Sequence, residues 1–325
     1  MAQTNILVIG GAGFIGSHIT KMLNHHGYHP IIFDNLSSGS QEAVTCGTFI
    51  QGDLANPKEL QTVFETYSIT AVMHFAALID VGESVVDPLK YYINNITYTL
   101  NLLEAMRQFN VKTLIFSSTA AIFGNPQQIP MNESHSCQPI NPYGRTKLIV
   151  ENILKDCDHA YGIKSSCLRY FNAAGGDPQG EIKNYKKKEI NLILLVLHSL
   201  KNPEKVVSIF GTDYPTKDGT CIRDYIHLED LGSAHLLALE KLLNEKASAN
   251  YNLGNGNGFS VREVINAAEK ITGLKVNTVE GPRRPGDPPI LVANSSKAFS
   301  ESGWSPIYTC INDMVSHAWL ALSPE

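Results

Sequence analysis

Tyr143 and Lys147 stand four residues apart in Asn141-Pro142-Tyr143-Gly144-Arg145-Thr146-Lys147. On a helix that spacing sets a phenol and an ammonium one turn apart on the same face. A phenol of ordinary pKa, about 10, acts as a base near neutrality only if its anion is stabilised by roughly 4 kcal/mol. A neighbouring lysine together with a cationic ring can supply that. Alone, a Tyr-x-x-x-Lys pair most often marks a surface tyrosine beside a solvated lysine. Here it follows Ser117-Ser118-Thr119, hydroxyls at the end of an apolar run, and the combination points to a hydride-transfer site with a tyrosine as its base.

Hydride transfer needs a dinucleotide, and the chain opens with a place for one. Gly10-Gly11-Ala12-Gly13-Phe14-Ile15-Gly16 reads both as Gly-x-Gly-x-x-Gly and as Gly-x-x-Gly-x-x-Gly, after an apolar run and at the head of a helical pattern. Glycines there permit a tight turn and the approach of backbone amides to a pyrophosphate at the helix N-terminus. Asp34, eighteen residues beyond Gly16, is placed to accept from a ribose 2′-hydroxyl. No arginine occurs in Asn35-Leu36-Ser37-Ser38-Gly39 to hold a 2′-phosphate, which favours NAD over NADP. Asp53-Leu54 either meets the adenine or leaves Asp53 to cap a helix starting at Pro57.

The scaffold for these residues shows in alternating patterns. Short apolar runs predict strands at 5–9, 31–34, 49–52, 71–75, 113–117 and 165–170, and helical periodicity falls between them at 15–24, 57–67, 88–109 and 143–161. Strands apolar at consecutive positions are buried on both faces. The expected fold class is therefore α/β: a doubly wound parallel sheet of Rossmann type over residues 1–172, then a second, smaller α/β substrate domain over 173–325 around an apolar helix at 189–200. Residues 224–254, with a strand-helix-strand pattern, are expected to return to the first sheet.

The bulk composition narrows the function. A chain of 325 residues with 43% hydrophobic and 18% charged residues is an ordinary globular protein. Its net charge of -5 argues against a nucleic-acid surface, and Lys186-Lys187-Lys188 reads as a solvated loop. Six cysteines without a Cys-x-x-Cys spacing fit a reduced, cytoplasmic protein with structural thiols. His-Glu-x-x-His is absent and His25-His26 reads as surface, so no metal is expected. No basic region and cleavage site precede residues 5–9, and the apolar stretch 192–197 is too short to span a bilayer, so neither secretion nor membrane insertion is expected.

In their order, the glycine loop, Ser117-Ser118-Thr119, Tyr143 and Lys147 make the chain resemble the extended short-chain dehydrogenase/reductase superfamily. Longer strings narrow the resemblance, over essentially the whole length, to the UDP-hexose 4-epimerases within it: Asp34-Asn35-Leu36, Val81-Gly82-Glu83-Ser84, Leu168-Arg169-Tyr170-Phe171-Asn172, Gly211-Thr212-Asp213-Tyr214-Pro215-Thr216, Arg223-Asp224-Tyr225-Ile226-His227 and Tyr251-Asn252-Leu253-Gly254. The resemblance implies interconversion of UDP-galactose and UDP-glucose through a 4-keto intermediate, with tightly bound NAD. It makes Thr119 the partner of the sugar O4, Tyr143 the acid/base, and Lys147 the group that binds the nicotinamide ribose and lowers the tyrosine pKa. Phe75, Ala76, Asn94, Ser117 and Tyr170 would complete the cofactor pocket begun by Gly10, Gly13, Phe14, Ile15 and Gly16.

For the nucleotide-sugar the resemblance points to Asn172, Asn191, Leu192, Arg223, Arg284 and Asp287, and guanidinium groups suit a diphosphate. Ile79 stands where some members carry a lysine that reaches the cofactor phosphates. Leu291 stands where others carry a tyrosine beside the sugar. The resemblance further implies a homodimer through helices 88–109 and 143–161, whose apolar residues Tyr92, Ile96, Leu103, Leu148, Ile149, Ile153 and Leu154 exceed what one buried face needs. Alternatives are a UDP-N-acetylglucosamine 4-epimerase or another nucleotide-sugar epimerase or dehydratase. The dehydratases follow the threonine with Asp-Glu, whereas Thr119 precedes Ala120-Ala121, which offer no proton donor or acceptor for elimination. A non-catalytic NAD-binding scaffold on the same fold would be expected to lose the tyrosine or the lysine.

Overall fold

The computed structural model describes residues 3–184, 191–202, 204–284 and 287–322. Seven strands form the main sheet in the order Ala249–Leu253, Lys164–Tyr170, Thr113–Thr119, Ile69–His74, Asn5–Ile9, His29–Asp34 and Thr48–Gln51. Every pairing in it is parallel. The order reverses between Asn5–Ile9 and Ile69–His74, the switch point beyond which open α/β sheets bind ligands.

Consecutive residues of the central strands leave the sheet on opposite faces, and both faces are covered. Ile6 and Val8 pack with Ile19 and Leu23 of the helix Phe14–His25 and with Leu231 and Leu239 of the helix Leu228–Glu245. Leu7 and Ile9 pack on the other side with Leu60, Leu102, Met106, Val150 and Leu154 from the helices Pro57–Thr66, Tyr98–Gln108 and Pro142–Tyr161. Each such aliphatic side chain, once buried, contributes about 1.5–3 kcal/mol.

All six strands expected in the first half are present, with shifts of one or two residues at their ends. The expected return of 224–254 holds for one of its two strands. Ala249–Leu253 adds to the sheet beside Lys164–Tyr170, while Tyr225–His227 pairs instead with Asn172–Ala174 in a separate parallel ribbon.

The helical stretch expected at 88–109 is interrupted. Helix Pro88–Tyr92 passes through a π turn at Ile93–Thr97 into Tyr98–Gln108, and such turns recur at functional sites. The apolar residues expected to meet a partner need correction here. Leu103 and Leu154 are 4% and 0% exposed and belong to the chain's own core. Tyr92, Ile96, Leu148 and Ile153 are half-buried. The apolar side chains left at the surface of these helices are Leu89, Ile93, Leu100, Ile149 and Tyr161, at 72%, 49%, 45%, 37% and 49% exposure.

A third core joins the helices Leu192–Lys201, Val261–Thr272 and Ile311–Ala321. The helix expected from 189 starts at Leu192 with Asn191 as its cap; residues 189–190 and Lys186-Lys187-Lys188 lie outside the described residues. Among the described residues no helix is long and apolar enough to cross a membrane, and no group of three or more His, Cys, Asp or Glu side chains could hold a metal ion.

Candidate active site

At the switch point the glycine loop is pressed against the end of the neighbouring strand. Gly10 has φ +79°, and a Cβ there would lie 2.7 Å from the Ala76 backbone nitrogen; at Gly16 it would lie 2.2 Å from the Gly10 carbonyl oxygen. Only glycine lets the turn and the helix Phe14–His25 approach this closely. The first turn of that helix holds no acidic residue, so its N-terminal amides keep their positive potential. Asp34 braces the loop, its carboxylate accepting from Ala12 N at 3.0 Å and from Leu36 N at 2.8 Å. Burial raises its pKa against those two hydrogen bonds.

Beyond Asp34, exposed Asn35 donates to Asp53 at 2.9 Å, and Asp53 turns the chain by accepting from Ala55 N at 2.8 Å. The cap of the helix Pro57–Thr66 is Asn56, which accepts from Lys58 N at 3.2 Å, so the capping alternative for Asp53 falls. Leu54 is buried with its carbonyl held by Asn101 at 2.8 Å. Phe75 and Ala76 lie behind Gly10, the Phe75 ring 5.1 Å from that of His235. Asn94, in the π turn, donates to Asn95 at 2.9 Å. Asn95 was not singled out by the sequence, yet it is buried and ties this turn to Leu78 N and O at 2.9 and 3.0 Å and to Thr146 at 3.1 Å. The steric cradle, the helix end and the acidic residue together fit a dinucleotide.

The helix Pro142–Tyr161 begins at Asn141, whose side chain accepts from Gly144 N at 2.8 Å, with Pro142 at its first position. This start projects Tyr143 and Lys147 toward the end of the strand Thr113–Thr119. Lys147 donates to the Ser117 carbonyl at 2.8 Å and lies 4.8 Å from the Phe116 ring centre. Burial lowers its pKa to about 7, with Glu151 pulling the other way. Burial pushes the Tyr143 phenol up to about 12, and the Thr119 hydroxyl it faces draws it down. Thr119 accepts from Ala121 N at 3.1 Å, which leaves its own proton free to donate. The side chain that draws the phenol down is thus Thr119 rather than Lys147. Ser117 and Tyr170 share a hydrogen bond on the same strand ends.

Across the cleft, Asn172 donates to the Asp224 carbonyl at 2.8 Å and Asn191 to the Ala173 carbonyl at 2.6 Å. Leu192 packs on the third core. Arg223 pairs with Asp287 and donates to the Ile222 carbonyl at 2.7 Å. Exposed Arg284 lies 4.0 Å from the Phe210 ring centre. Leu291 links the two sides, because its register partner is Arg223 and it packs against the cluster of Ile122, Phe123 and Met131. Ile79 is exposed. Asp224, which sequence reasoning did not assign, is buried and gathers Asn255 N, Gly256 N and Ala293 N at 2.8, 3.1 and 3.0 Å. Burial lifts its pKa to about 6 despite them.

A parallel sheet with a glycine turn at its switch point, an aspartate ending the second strand and a Tyr/Lys pair whose lysine is buried define a doubly wound, dinucleotide-dependent enzyme. The NAD dependent epimerase/dehydratase family matches residues 6–254, and the chain belongs to that family. It is 49% identical over 314 residues to UDP-glucose 4-epimerase of Halalkalibacterium halodurans, covering 97% of this chain and 94% of that protein. The crystal structure of UDP-glucose 4-epimerase from Brucella ovis in complex with NAD superposes with a TM-score of 0.95 at 44% identity, over 98% of this chain and 99% of that one. The UDP-Glc/GlcNAc 4-epimerase from Campylobacter jejuni does so with a TM-score of 0.85 at 40% identity, over 97% and 98%.

Proposed function

We propose that this protein is an NAD-dependent UDP-glucose 4-epimerase that interconverts UDP-galactose and UDP-glucose through a 4-keto sugar. The observation that carries the reading is the Tyr143 phenol facing the Thr119 hydroxyl, with Lys147 one turn along the helix fixed on the Ser117 carbonyl and only alanines at 120 and 121. That set can move one proton at one oxygen and cannot drive elimination.

Tyr143 takes the proton of the sugar 4-hydroxyl and later returns it, while Thr119 holds the same oxygen. NAD, when bound, supplies reversible hydride uptake at C4 and a positive charge near the phenol. Gly10, Gly13, Phe14, Ile15 and Gly16 hold its pyrophosphate; Asp34, Asn35, Asp53 and Leu54 its adenosine; Phe75, Ala76, Asn94, Ser117, Lys147 and Tyr170 its nicotinamide half. Inversion requires the keto sugar to present its other face, so firm binding belongs on the nucleotide. Asn172, Asn191, Leu192, Arg223, Arg284 and Asp287 supply that grip from outside the sheet. NAD is regenerated each cycle, which suits a permanently bound group.

Residues 1–172 with 224–254 form the cofactor unit in this reading, and the remainder of 173–325 forms the sugar-nucleotide unit. Leu291 leaves room beside the sugar 2-substituent, so the N-acetylated substrate is tolerated too, as the similarity to a UDP-Glc/GlcNAc 4-epimerase supports. The surface residues Leu89, Ile93 and Ile149 are the seam of a homodimer, and the protein works in the cytoplasm. Loss of turnover in Tyr143→Phe, with fold and bound NAD kept, tests the reading.

A further inference from the structure

One turn beyond Lys147 on the same helix face sits Glu151, buried and engaged three times. Its carboxylate accepts from Arg169 Nε at 3.0 Å and Nη2 at 2.6 Å, a bidentate pair, and from Ser118 Oγ at 2.5 Å. Ser118 and Arg169 are register partners on neighbouring strands. Ser118 lies between Ser117, whose carbonyl holds Lys147, and Thr119, which faces the phenol. One side chain therefore ties the helix to both strands within a residue of each reacting partner.

We propose that Glu151 is a positioning residue of the reaction: held by Arg169 and Ser118, it registers the helix bearing Tyr143 and Lys147 on the strand end bearing Thr119 and supplies the counter-charge that keeps Lys147 an ammonium. The inference rests on the reading of Tyr143 and Lys147 given above.

Stability alone does not explain the pair, because a buried ion pair is commonly no better than well-packed apolar groups of the same volume. Its surroundings point to the charge. The titratable groups facing Lys147 are Tyr143 and Glu151 on its own helix, Cys167 on the strand Lys164–Tyr170 and His74 on the strand Ile69–His74. Burial holds the Cys167 thiol well above its ordinary range and lowers His74 to about 3, so both stay neutral. Arg169 is spent on Glu151. Glu151 is the one anion in this group, and it is the strongest influence holding the Lys147 pKa up against burial.

Glu151→Gln alone strands a buried guanidinium, so the double variant Glu151→Gln/Arg169→Met carries the test. The kcat and KM of the NAD-containing enzyme are followed against pH for wild type and double variant. Without the counter-charge Lys147 loses its proton at lower pH, so the alkaline limb of the kcat profile is expected to fall by about one pH unit, with KM within about twofold. A folded, active double variant whose limb stays in place overturns the proposal. A double variant that does not fold overturns it as well, since the pair is then a structural brace. Turnover retained in Tyr143→Phe would instead remove the reading beneath it, which separates the two failures.

Discussion

Lys147→Met is expected to remove activity and raise stability, with a pH dependence that follows from where the amine lies. Burial lowers the Lys147 pKa from 10.5 to about 7, which corresponds to about 5 kcal/mol against the folded charged form. Methionine keeps an unbranched stem but gives up the hydrogen bond to the Ser117 carbonyl, worth about 1–2 kcal/mol. The net expectation is a gain of about 3 kcal/mol at pH 6. Because the folded pKa lies below the unfolded one, the wild-type penalty is complete below about pH 7 and fades as pH rises toward 10.5. By pH 9 about 3 kcal/mol of it has gone, leaving the two proteins close to equal. Urea denaturation of both, freed of nucleotide, at pH 6 and pH 9 measures the difference. A gap between wild type and variant that is the same at both pH values would refute the argument that the site holds a desolvated amine.

Three further outcomes are expected. Gly16→Ala puts a Cβ 2.2 Å from the Gly10 carbonyl, so the purified variant should carry little NAD, read from its absorbance ratio; a full complement would mean the turn relaxes freely. Leu291→Tyr adds bulk beside Arg223 and the Ala120–Phe123 turn and should lower catalytic efficiency for UDP-N-acetylgalactosamine relative to UDP-galactose by tenfold or more; an unchanged ratio removes Leu291 from the pocket wall. Ile93→Lys places a charge among the exposed apolar side chains of the proposed dimer seam and should convert the proposed dimer to monomer in sedimentation at micromolar protein, whereas a wild type already monomeric refutes the seam.

Much of the candidate site's local geometry was legible because its signals lie close together in the chain. The glycine turn, Asp34 and the Tyr143/Lys147 spacing each state their geometry within a few residues, and strands such as Asn5–Ile9 announce burial on both faces by unbroken apolar character. Interactions between distant residues were not legible. Nothing near Asp224 says that its carboxylate will collect amides from residues 255, 256 and 293, and nothing near Glu151 names Arg169. Helix faces were ambiguous for the same reason: Leu103 and Leu154 look as free as Ile149 until the sheet beneath them is placed. At residues 53–57 two polar side chains compete for one cap, and Asn56 takes it because it directly precedes Pro57. The helix Val261–Thr272 did carry a readable start, since Ser260 and Glu263 form a capping box. The Tyr143 pKa was out of reach of sequence, because burial sets it.

The most direct measurement of the central claim is incubation of the purified protein with UDP-galactose, without added NAD, beside Tyr143→Phe treated identically, with chromatographic product analysis. UDP-glucose should accumulate to equilibrium with wild type and form about a thousandfold more slowly with Tyr143→Phe, which should retain its fold and bound NAD. No conversion by wild type, with or without NAD supplied, or equal conversion by the variant, would contradict the account.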